Sequence, residues 1–282
     1  MQIEFTKMHG LGNDFMVINA ISQSISLSAE QIRLMSDRHF GIGFDQLLIV
    51  ERTDEPDVDF CYRIYNADGG EVEQCGNGAR CFARFVRDEG LTDKIEISVI
   101  TKTGKILLKV ESDEKVTVNM GHPRLAPETL PFMSDTSNQQ ATYQLNINNS
   151  TVEFSAVSMG NPHAVILVED IKEAPVEAMG KALQADPSFP QSVNVGFMQV
   201  HNKRNISLRV YERGVGETQA CGTGACAAVV AGRLLGLLDK PVCVNLLGGE
   251  LIIHWAGAER DTLHPVMMTG PTATVFKGTI TL

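Results

Sequence analysis

The chain has 282 residues, 43% of them hydrophobic, which is enough for a sizeable core and for two domains or one large one. Its 24 basic and 34 acidic residues give a net charge of −10, which disfavours a nucleic-acid partner because phosphate binding needs a basic surface. We therefore expect a small-molecule substrate.

The N-terminus and the cysteine content bear on the compartment. The opening sequence MQIEFTKMHGLGND lacks the basic region and the long apolar region of a signal peptide, and no run reaches the roughly 18 apolar residues of a membrane span. We expect a cytoplasmic protein with no membrane partner. The six cysteines are too sparse for a disulfide scaffold, and without a nearby histidine cluster their spacing predicts no metal site.

Short segments rich in β-branched residues predict strands along most of the chain. In the first half these are FMVINA, QLLIV, DFCYRIY, IEISVI and ILLKVE, and in the second half they are VEFSAV, HAVILV and ISLRVY. Helices are predicted at residues 29–39 and 175–184 and directly after Cys75 and Cys221. Between the halves, residues 121–142 are rich in Pro, Ser and amide side chains and predict a linker.

The helices after Cys75 and Cys221 differ in composition. Residues 225–232 are apolar on every side, which predicts a helix buried all round and enclosed by strands. The helix after Cys75 is amphipathic, and one face carries three arginines that we expect to be solvated or packed: Arg80, Arg84 and Arg87. The remaining cysteines lie in these helices or in predicted strands and are expected to be structural: Cys61, Cys81, Cys226 and Cys243.

The two halves of the sequence are related by a repeat. The pattern Cys-Gly-x-Gly-Ala occurs at Cys75 and again at Cys221. Two further pairs of residues precede these cysteines at matching distances, 62 and 60 residues for the first pair and 29 and 27 for the second: Asn13 with Asn161, and Gln46 with Asn194. This register indicates a duplicated unit of about 130 to 150 residues, the size of a domain, and therefore two similar domains.

A cysteine at a helix N-terminus has a chemical use. The unpaired N–H groups and the partial positive charge there stabilise a thiolate and bind carboxylates, and flanking glycines let the backbone approach a ligand. A single such cysteine is often a small buried hydrophobe, but two in matching positions favour a functional pair. If the domains are related by pseudo-twofold symmetry, Cys75 and Cys221 face each other across a cleft, which is typical of a two-base racemase or epimerase with one thiolate and one thiol.

Six motifs point to a known family. They are MHGLGNDF, FGIGFDQ, YNADGGEVEQCGNGARC, SMGNPHAV, YERGVGETQACGTGAC and a closing TGP, and together they span essentially the whole chain. With these motifs in this order, the sequence closely resembles the diaminopimelate epimerases. Members of that family interconvert LL- and meso-2,6-diaminopimelate without pyridoxal phosphate, in bacterial lysine and peptidoglycan-precursor synthesis. The resemblance therefore implies an isomerase that needs no cofactor.

The resemblance also implies a fold and a domain division. It implies an α+β fold of two pseudo-symmetric domains, each a mixed β-sheet or barrel wrapped around a central helix, with the active site between them. The expected domains are residues 1–122 together with 270–282, carrying Cys75, and residues 123–269, carrying Cys221. The C-terminal strand, roughly residues 272–282, is expected to return to the first domain.

The site residues follow from the resemblance position by position. Cys75 and Cys221 become the acid/base pair, and His163 and Glu212 are expected to help set the protonation state of the thiols. Arg213 can bind the distal carboxylate of the substrate bidentately. The expected substrate-binding side chains are Asn13, Gln46, Asn66, Asn161, Asn194, Glu212 and Arg213, and the expected backbone ligands of the reacting carboxylate are Gly76, Asn77, Gly222 and Thr223.

Without the resemblance, several of these residues have simpler interpretations. Asn13 and Asn161 each follow a glycine and are typical of turns. His163 is typical of a packed or capping histidine, and Glu212 with Arg213 of a surface ion pair.

The oligomeric state is expected to be a homodimer. Family members often carry a tyrosine near the C-terminus that takes part in dimer contacts, and this chain has Phe276 at that position. The hydrogen bond of that hydroxyl is therefore absent, while the apolar packing can persist.

Other functions share parts of this pattern. A proline or hydroxyproline racemase uses the same two-thiol chemistry on a ring. A thiol switch would use Cys75 and Cys221 as a regulatory disulfide. We expect activity to require reductant, because these two thiols are expected to come within disulfide reach when no substrate is bound. A phosphate-binding module also uses glycine-rich helix starts, but the chain has no Gly-x4-Gly-Lys loop.

Overall fold

The chain forms two compact units. A computed structural model describes residues 2–72, 75–102, 104–134, 138–148, 150–259 and 262–282. The first unit consists of Met1–Asn119 and Thr269–Leu282, and the second of Met120–Met268.

The two units share a common order of helices and strands, and the second unit has additional elements at its start and after its central helix. The first unit contains β1 (Gln2–Gly10), β2 (Asn13–Asn19), α1 (Ala29–Ser36), β3 (Gln46–Glu51), β4 (Phe60–Asn66), β5 (Glu71–Val72), α2 (Gly76–Asp88), β6 (Glu96–Thr101), β7 (Gly104–Val110) and β8 (Val116–Asn119). The second contains a 3-10 helix (Pro127–Thr129), β9 (Tyr143–Ile147), β10 (Ser150–Ser158), β11 (Pro162–Leu167), α3 (Val176–Gln184), β12 (Asn194–Asn202), β13 (Asn205–Glu212), β14 (Gly216–Glu217), α4 (Gly222–Leu234), β15 (Val242–Leu246), β16 (Gly249–Trp255), β17 (Ala258–Glu259) and β18 (Thr262–Leu263). The chain then continues through β19 (Val266–Gly270) to β20 (Ala273–Thr281).

The first unit is a mixed sheet around α2. Strand β1 pairs antiparallel with β2 and β20, β2 pairs parallel with β3, and β3 pairs antiparallel with β4. Strand β4 pairs parallel with β6, and β6, β7 and β8 form an antiparallel meander. Helix α2 contacts β1, β2 and β3 as well as β7 and β8. Because strands from distant parts of the sheet contact one helix, the sheet curls around it.

The second unit repeats this arrangement around α4. Strands β9, β10 and β11 are antiparallel neighbours, β11 pairs parallel with β12, and β12 pairs antiparallel with β13. Strand β13 pairs parallel with β15, and β15 antiparallel with β16. Helix α4 contacts β10, β11, β12, β13 and β16. The predicted α+β fold, with a mixed sheet around a central helix in each of two units, is confirmed.

The central helices lie where the sequence predicts them. Each begins directly after its cysteine, and the apolar run in α4 is buried throughout. In α2, Arg80 is completely buried, while Arg84 pairs with Asp88 and Arg87 donates to the Asp93 carbonyl. Of these three arginines, Arg80 is therefore packed in the core, whereas Arg84 and Arg87 are partly exposed. In the described part of the chain, no helix is long and apolar enough to cross a membrane.

Two predicted boundaries are wrong. Helix α1 ends at Ser36 because Asp37 leaves the helical conformation and its carboxylate accepts the N–H groups of His39 and Phe40. The segment predicted as a linker belongs to the second unit as far as it is described, with residues 135–137 outside the described residues. Its apolar residues explain this, since Leu130 and Phe132 are buried in the hydrophobic core of that unit.

A close contact between α2 and β4 yields a stability prediction. The Tyr62 hydroxyl is buried without a hydrogen-bond partner among the described residues, and a Cβ at Gly78 would lie 2.5 Å from it. We expect Gly78→Ala to lower the free energy of unfolding by about 2 kcal/mol through overpacking, and Tyr62→Phe alone to be neutral or stabilising by about 1 kcal/mol because it removes an unsatisfied hydroxyl. In the double variant, urea unfolding should show that Tyr62→Phe recovers at least half of the free energy of unfolding that Gly78→Ala loses. If the changes in unfolding free energy of the two single variants simply add in the double variant, the clash between an added Cβ at position 78 and the Tyr62 hydroxyl is contradicted.

Candidate active site

The polar residues of the first unit lie at strand ends beside the start of α2. Asn13 begins β2, Gln46 begins β3, and Asn66 ends β4. Because β2 and β3 are parallel and β4 runs antiparallel to them, these three ends lie on the same edge of the sheet. Gln46 is paired with Asn66, and Asn13 lies two residues before Phe15, the β2 residue paired with Gln46. Cys75 is the N-cap residue of α2.

Cys75 and Asn13 contact each other. The Cys75 sulfur accepts the N–H of Gly78 at 3.4 Å and lies 3.7 Å from Asn13 Oδ1. Asn13 reaches this position because a two-residue turn joins β1 to β2, with positive φ at both Leu11 and Gly12. The prediction that Asn13 is a turn residue is therefore correct for its neighbours, while Asn13 itself is the first residue of the strand.

A chain of hydrogen bonds orients Asn13; we call it the amide chain. Arg80 Nη2 donates to Asn77 Oδ1 (3.0 Å), and Asn77 Nδ2 donates to Asn13 Oδ1 (3.2 Å). Asn13 Nδ2 then donates to the Asp45 carboxylate (2.8 Å), which also pairs with Arg38 (2.8 Å). Because a carboxylate only accepts hydrogen bonds, the Asn13 nitrogen must face Asp45 and its oxygen must face the cysteine sulfur.

Two more predicted binding residues of this unit contact each other. Gln46 Nε2 donates to Asn66 Oδ1 at 2.9 Å. The Gln46 Oε1 atom is buried and has no hydrogen-bond partner among the described residues, so it is available as an acceptor. Gly76 and Asn77 form the first turn of α2 beside them, where backbone N–H groups typically bind anions.

The second unit places a carboxylate against its cysteine. Cys221 is the N-cap residue of α4 and is buried, and its sulfur lies 3.0 Å from Glu212 Oε2 and 3.6 Å from Thr223 Oγ1. The other carboxylate oxygen, Glu212 Oε1, accepts the hydroxyl of Thr218 at 2.5 Å. Gly222 and Thr223 form the first turn of α4.

Cys221 is a thiol in this environment. Burial raises the pKa of Cys221 well above its ordinary value, and the charge and hydrogen bond of Glu212 raise it further. The Thr223 hydroxyl and the Gly224 N–H act in the opposite direction and are outweighed. The helix N-terminus alone therefore does not determine the pKa of Cys221, because desolvation and a neighbouring carboxylate outweigh the helix charge.

His163 is a buried neutral histidine. Burial, followed by the positive charge of Arg213, lowers the pKa of His163 to about 3. Its Nε2 lies 3.1 Å from Asn161 Oδ1, and Asn161 Nδ2 donates to Thr223 Oγ1 at 3.3 Å. His163 Nδ1 is buried without a hydrogen-bond partner among the described residues. His163 thus contacts the predicted site through Asn161 and Thr223.

Asn194 and Arg213 lie at the ends of β12 and β13. Asn194 Nδ2 donates to the Pro162 carbonyl (3.2 Å), and its Oδ1 accepts the backbone N–H of Arg213 (2.9 Å). Asn194 therefore links the backbone of Pro162 to the backbone of Arg213, the residue that follows Glu212. The Arg213 side chain is exposed and donates one hydrogen bond, to the Gln191 carbonyl (2.8 Å).

Equivalent positions of the two units carry different chemistry. Asn66 and Glu212 both end the strand that pairs with β3 or β12, and each lies nine residues before its cysteine. Matched in this register, three residues of the second unit have apolar or neutral counterparts in the first: Asn66 for Glu212, Phe15 for His163, and Val72 for Thr218. Sequence analysis missed Thr218, although the repeat offset was available as a signal.

Comparison with known proteins identifies the family. The sequence model of the diaminopimelate epimerase family matches residues 5–126 and 155–275. The chain belongs to the diaminopimelate epimerase family. It is 58% identical over 281 residues to the diaminopimelate epimerase of Thioalkalivibrio sulfidiphilus, with 99% of each chain covered. It is also 58% identical over 282 residues to that of Nitrosomonas europaea, with 100% of each covered.

Solved structures share the fold at low sequence identity. A phenazine biosynthesis protein of the PhzF family from Bacillus anthracis matches with a TM-score of 0.71 at 15% identity, and 100% of each chain is covered. A hydroxyproline epimerase from Agrobacterium vitis matches with a TM-score of 0.70 at 13% identity, covering 99% of this chain and 92% of the other.

The contact between Glu212 and Cys221 predicts a change in thiol reactivity. Glu212→Gln removes a charge that raises the pKa of Cys221, so alkylation of Cys221 by iodoacetamide should begin at a lower pH than in the wild type. The rate is measured by mass spectrometry of the Cys221 peptide over a pH series. Glu217→Gln is the matched control, because Glu217 pairs with Arg209 instead. If the pH midpoint of Cys221 alkylation is the same in Glu212→Gln as in the wild type, the contact between Glu212 and Cys221 is contradicted.

The buried His163 predicts a pH dependence of stability. Between the ordinary value of 6.5 and about 3, the unfolded chain binds a proton that folded His163 does not. The stability contributed by neutral His163 is therefore present above pH 6.5 and is lost as the pH falls, by up to about 1.4 kcal/mol per pH unit.

In His163→Gln, the free energy of unfolding in urea should fall less steeply than in the wild type between pH 6.5 and 5. His201→Gln, at an exposed histidine bonded to Ser207, should keep the wild-type slope. Equal slopes in all three proteins would show that His163 is protonated in the folded state.

Proposed function

We propose that this chain epimerises LL-2,6-diaminopimelate to meso-diaminopimelate by a two-base mechanism without a cofactor, in bacterial lysine and peptidoglycan-precursor synthesis. Membership of the diaminopimelate epimerase family supports the substrate and the reaction. The observation that carries the mechanism is that each unit places one cysteine, Cys75 or Cys221, at the N-cap of its central helix.

The reaction is a transfer of protons at one carbon. One sulfur removes the α-proton, and the other sulfur donates a proton to the opposite face of the same carbon, which inverts its configuration. Cys221, whose pKa is raised by burial and by Glu212, is the proposed thiol that donates. Cys75, whose sulfur accepts the Gly78 N–H, is the proposed base, and it must first release the proton that it donates to Asn13 Oδ1. The reverse reaction starts from the opposite protonation state of the two sulfurs.

The electron pair left on the α-carbon passes into the adjacent carboxylate. Backbone N–H groups at two helix N-termini would bind that carboxylate and stabilise its developing charge. The proposed ligands are the first-turn residues of α2 and α4: Gly76, Asn77, Gly222 and Thr223.

The remaining polar residues would recognise the rest of the substrate. Its two ammonium groups require acceptors, which amide oxygens and Glu212 provide, and its distal carboxylate requires a donor, for which exposed Arg213 is suited. The proposed side-chain ligands are Asn13, Gln46, Asn66, Asn161, Asn194, Glu212 and Arg213, with His163 supporting them through Asn161.

The proposed setting is the cytoplasm, with a small-molecule substrate and no nucleic-acid or membrane partner. The net charge of −10 supports the absence of a nucleic-acid partner, because a basic surface would be required.

Proton NMR of LL-diaminopimelate in deuterated buffer tests the function directly. With the purified, reduced protein and no added cofactor, we expect the α-proton signal to be lost as the meso isomer forms. Cys75→Ala and Cys221→Ala should each abolish this, because either change removes one of the two proton-transfer groups. Turnover of proline and not of diaminopimelate would instead assign the chain to proline racemisation. Absence of turnover with both, together with a reversible disulfide between the two cysteines, would favour a thiol switch.

We further propose a homodimer that uses β20. Phe276 on this strand is 47% exposed and packs edge-on against Phe5, with ring centroids 5.9 Å apart. Phe276→Asp should therefore weaken dimerisation, measured as a shift to the monomer mass in light scattering. Ile252→Asp is the control, since Ile252 is an exposed strand residue of the other unit. Unchanged mass in Phe276→Asp would exclude β20 from the interface.

A further inference from the structure

Glu212 is held by a residue that sequence analysis did not single out. Strands β13 and β14 form a hairpin in which Glu212 pairs with Gly216, and the chain then passes Thr218 back alongside β13. The Thr218 N–H donates to the Val210 carbonyl, which places its side chain next to Glu212. The Thr218 hydroxyl donates to Glu212 Oε1 at 2.5 Å.

The two carboxylate oxygens of Glu212 have separate partners. Oε1 receives the Thr218 hydroxyl, and Oε2 receives the Cys221 thiol at 3.0 Å. An ionised carboxylate only accepts hydrogen bonds, so both partners must donate. A donor on Oε1 therefore selects one rotation of the carboxylate, the one in which Oε2 faces the sulfur.

In the first unit, the positions equivalent to Thr218 and Glu212 hold an apolar side chain and an amide instead of a hydroxyl and a carboxylate. Val72 lies three residues before Cys75, as Thr218 lies three before Cys221, and Asn66 takes the position of Glu212. Val72 pairs with Ile64 in the equivalent hairpin. Valine and threonine have nearly the same shape, so the difference between the two units at this position is the hydroxyl group.

We propose that Thr218 is a positioning residue, whose hydroxyl holds the Glu212 carboxylate in the orientation that accepts the Cys221 thiol. Cys221 is thereby kept as a directed proton donor. The other groups that act on its sulfur are the Thr223 hydroxyl and the Gly224 N–H, both from α4, and Glu212 is the charged group among them. The catalytic consequence rests on the proposed epimerase function, whereas the effect on the thiol does not.

Thr218→Val tests the proposal, because it removes the hydroxyl and reproduces the residue of the first unit. We expect kcat to fall about five- to tenfold with KM changed less than twofold, as for loss of a group that acts in the transition state. The pH midpoint of Cys221 alkylation should move about half a unit down, in the direction of Glu212→Gln, because a misoriented carboxylate no longer holds the thiol proton. Thr218→Ser, which keeps the hydroxyl, should restore both values.

The chain offers a matched control for the loss of such a bond. Thr117 Oγ1 donates to Glu111 Oε1 at 2.7 Å, also across six residues but in the first unit. Thr117→Val should leave kcat and the Cys221 midpoint unchanged, and thermal unfolding should show that all variants are folded.

An unshifted or raised midpoint in Thr218→Val, or the same defect in Thr218→Ser, would overturn the proposal. If the wild-type protein does not turn over diaminopimelate, the proposed function fails, and the alkylation midpoints still decide the role of Thr218.

Discussion

The arrangement of each unit depends on the burial of its central helix. Strands cover α2 and α4 on their sides, so the side chains along each helix pack into the core. The start of the helix is where backbone N–H groups need partners and where polar side chains can meet them. The parallel pairing of β2 with β3, and of β11 with β12, brings strand ends to that same place. A cysteine at the N-cap and amide side chains at the strand ends are the result.

Structural repetition in this chain coexists with chemical asymmetry. The units share the position of the central helix and the offsets that precede each cysteine, yet among the contacts of the described residues Cys221 has a carboxylate against its sulfur. Cys75 has the amide oxygen of Asn13 and a backbone N–H. The two sulfurs therefore lie in different surroundings, and burial and the Glu212 carboxylate raise the pKa of Cys221. A reaction that needs one acid and one base benefits from that difference.

Sequence alone predicted the parts of this structure that follow from periodicity and repetition. The register of Asn13, Gln46 and Cys75 against their counterparts predicted which residues lie at equivalent strand starts and helix starts in the two units, and apolar composition placed α4 inside its sheet. The amphipathic pattern of α2 did not reveal that Arg80 is buried, because a hydrogen bond to Asn77 compensates a charge that hydropathy counts as solvated. The protonation of Cys221 also could not be predicted, since it depends on how close Glu212 comes and how completely the sulfur is buried. Proline and serine content misled the prediction of a linker, because Leu130 and Phe132 decide where that segment packs.

The amide chain from Arg80 to Asp45 has a polarity, since every bond in it runs in the same direction. It begins at a group that can only donate and ends at a group that can only accept. An aspartate in place of Asn77 or Asn13 would set an acceptor against an acceptor at one link, although the change alters few atoms. Hydrolysis of either amide to a carboxylate during the lifetime of the protein would have the same effect. The hydrogen bonds around Cys75 are thus sensitive to a slow chemical lesion at either of these two amides.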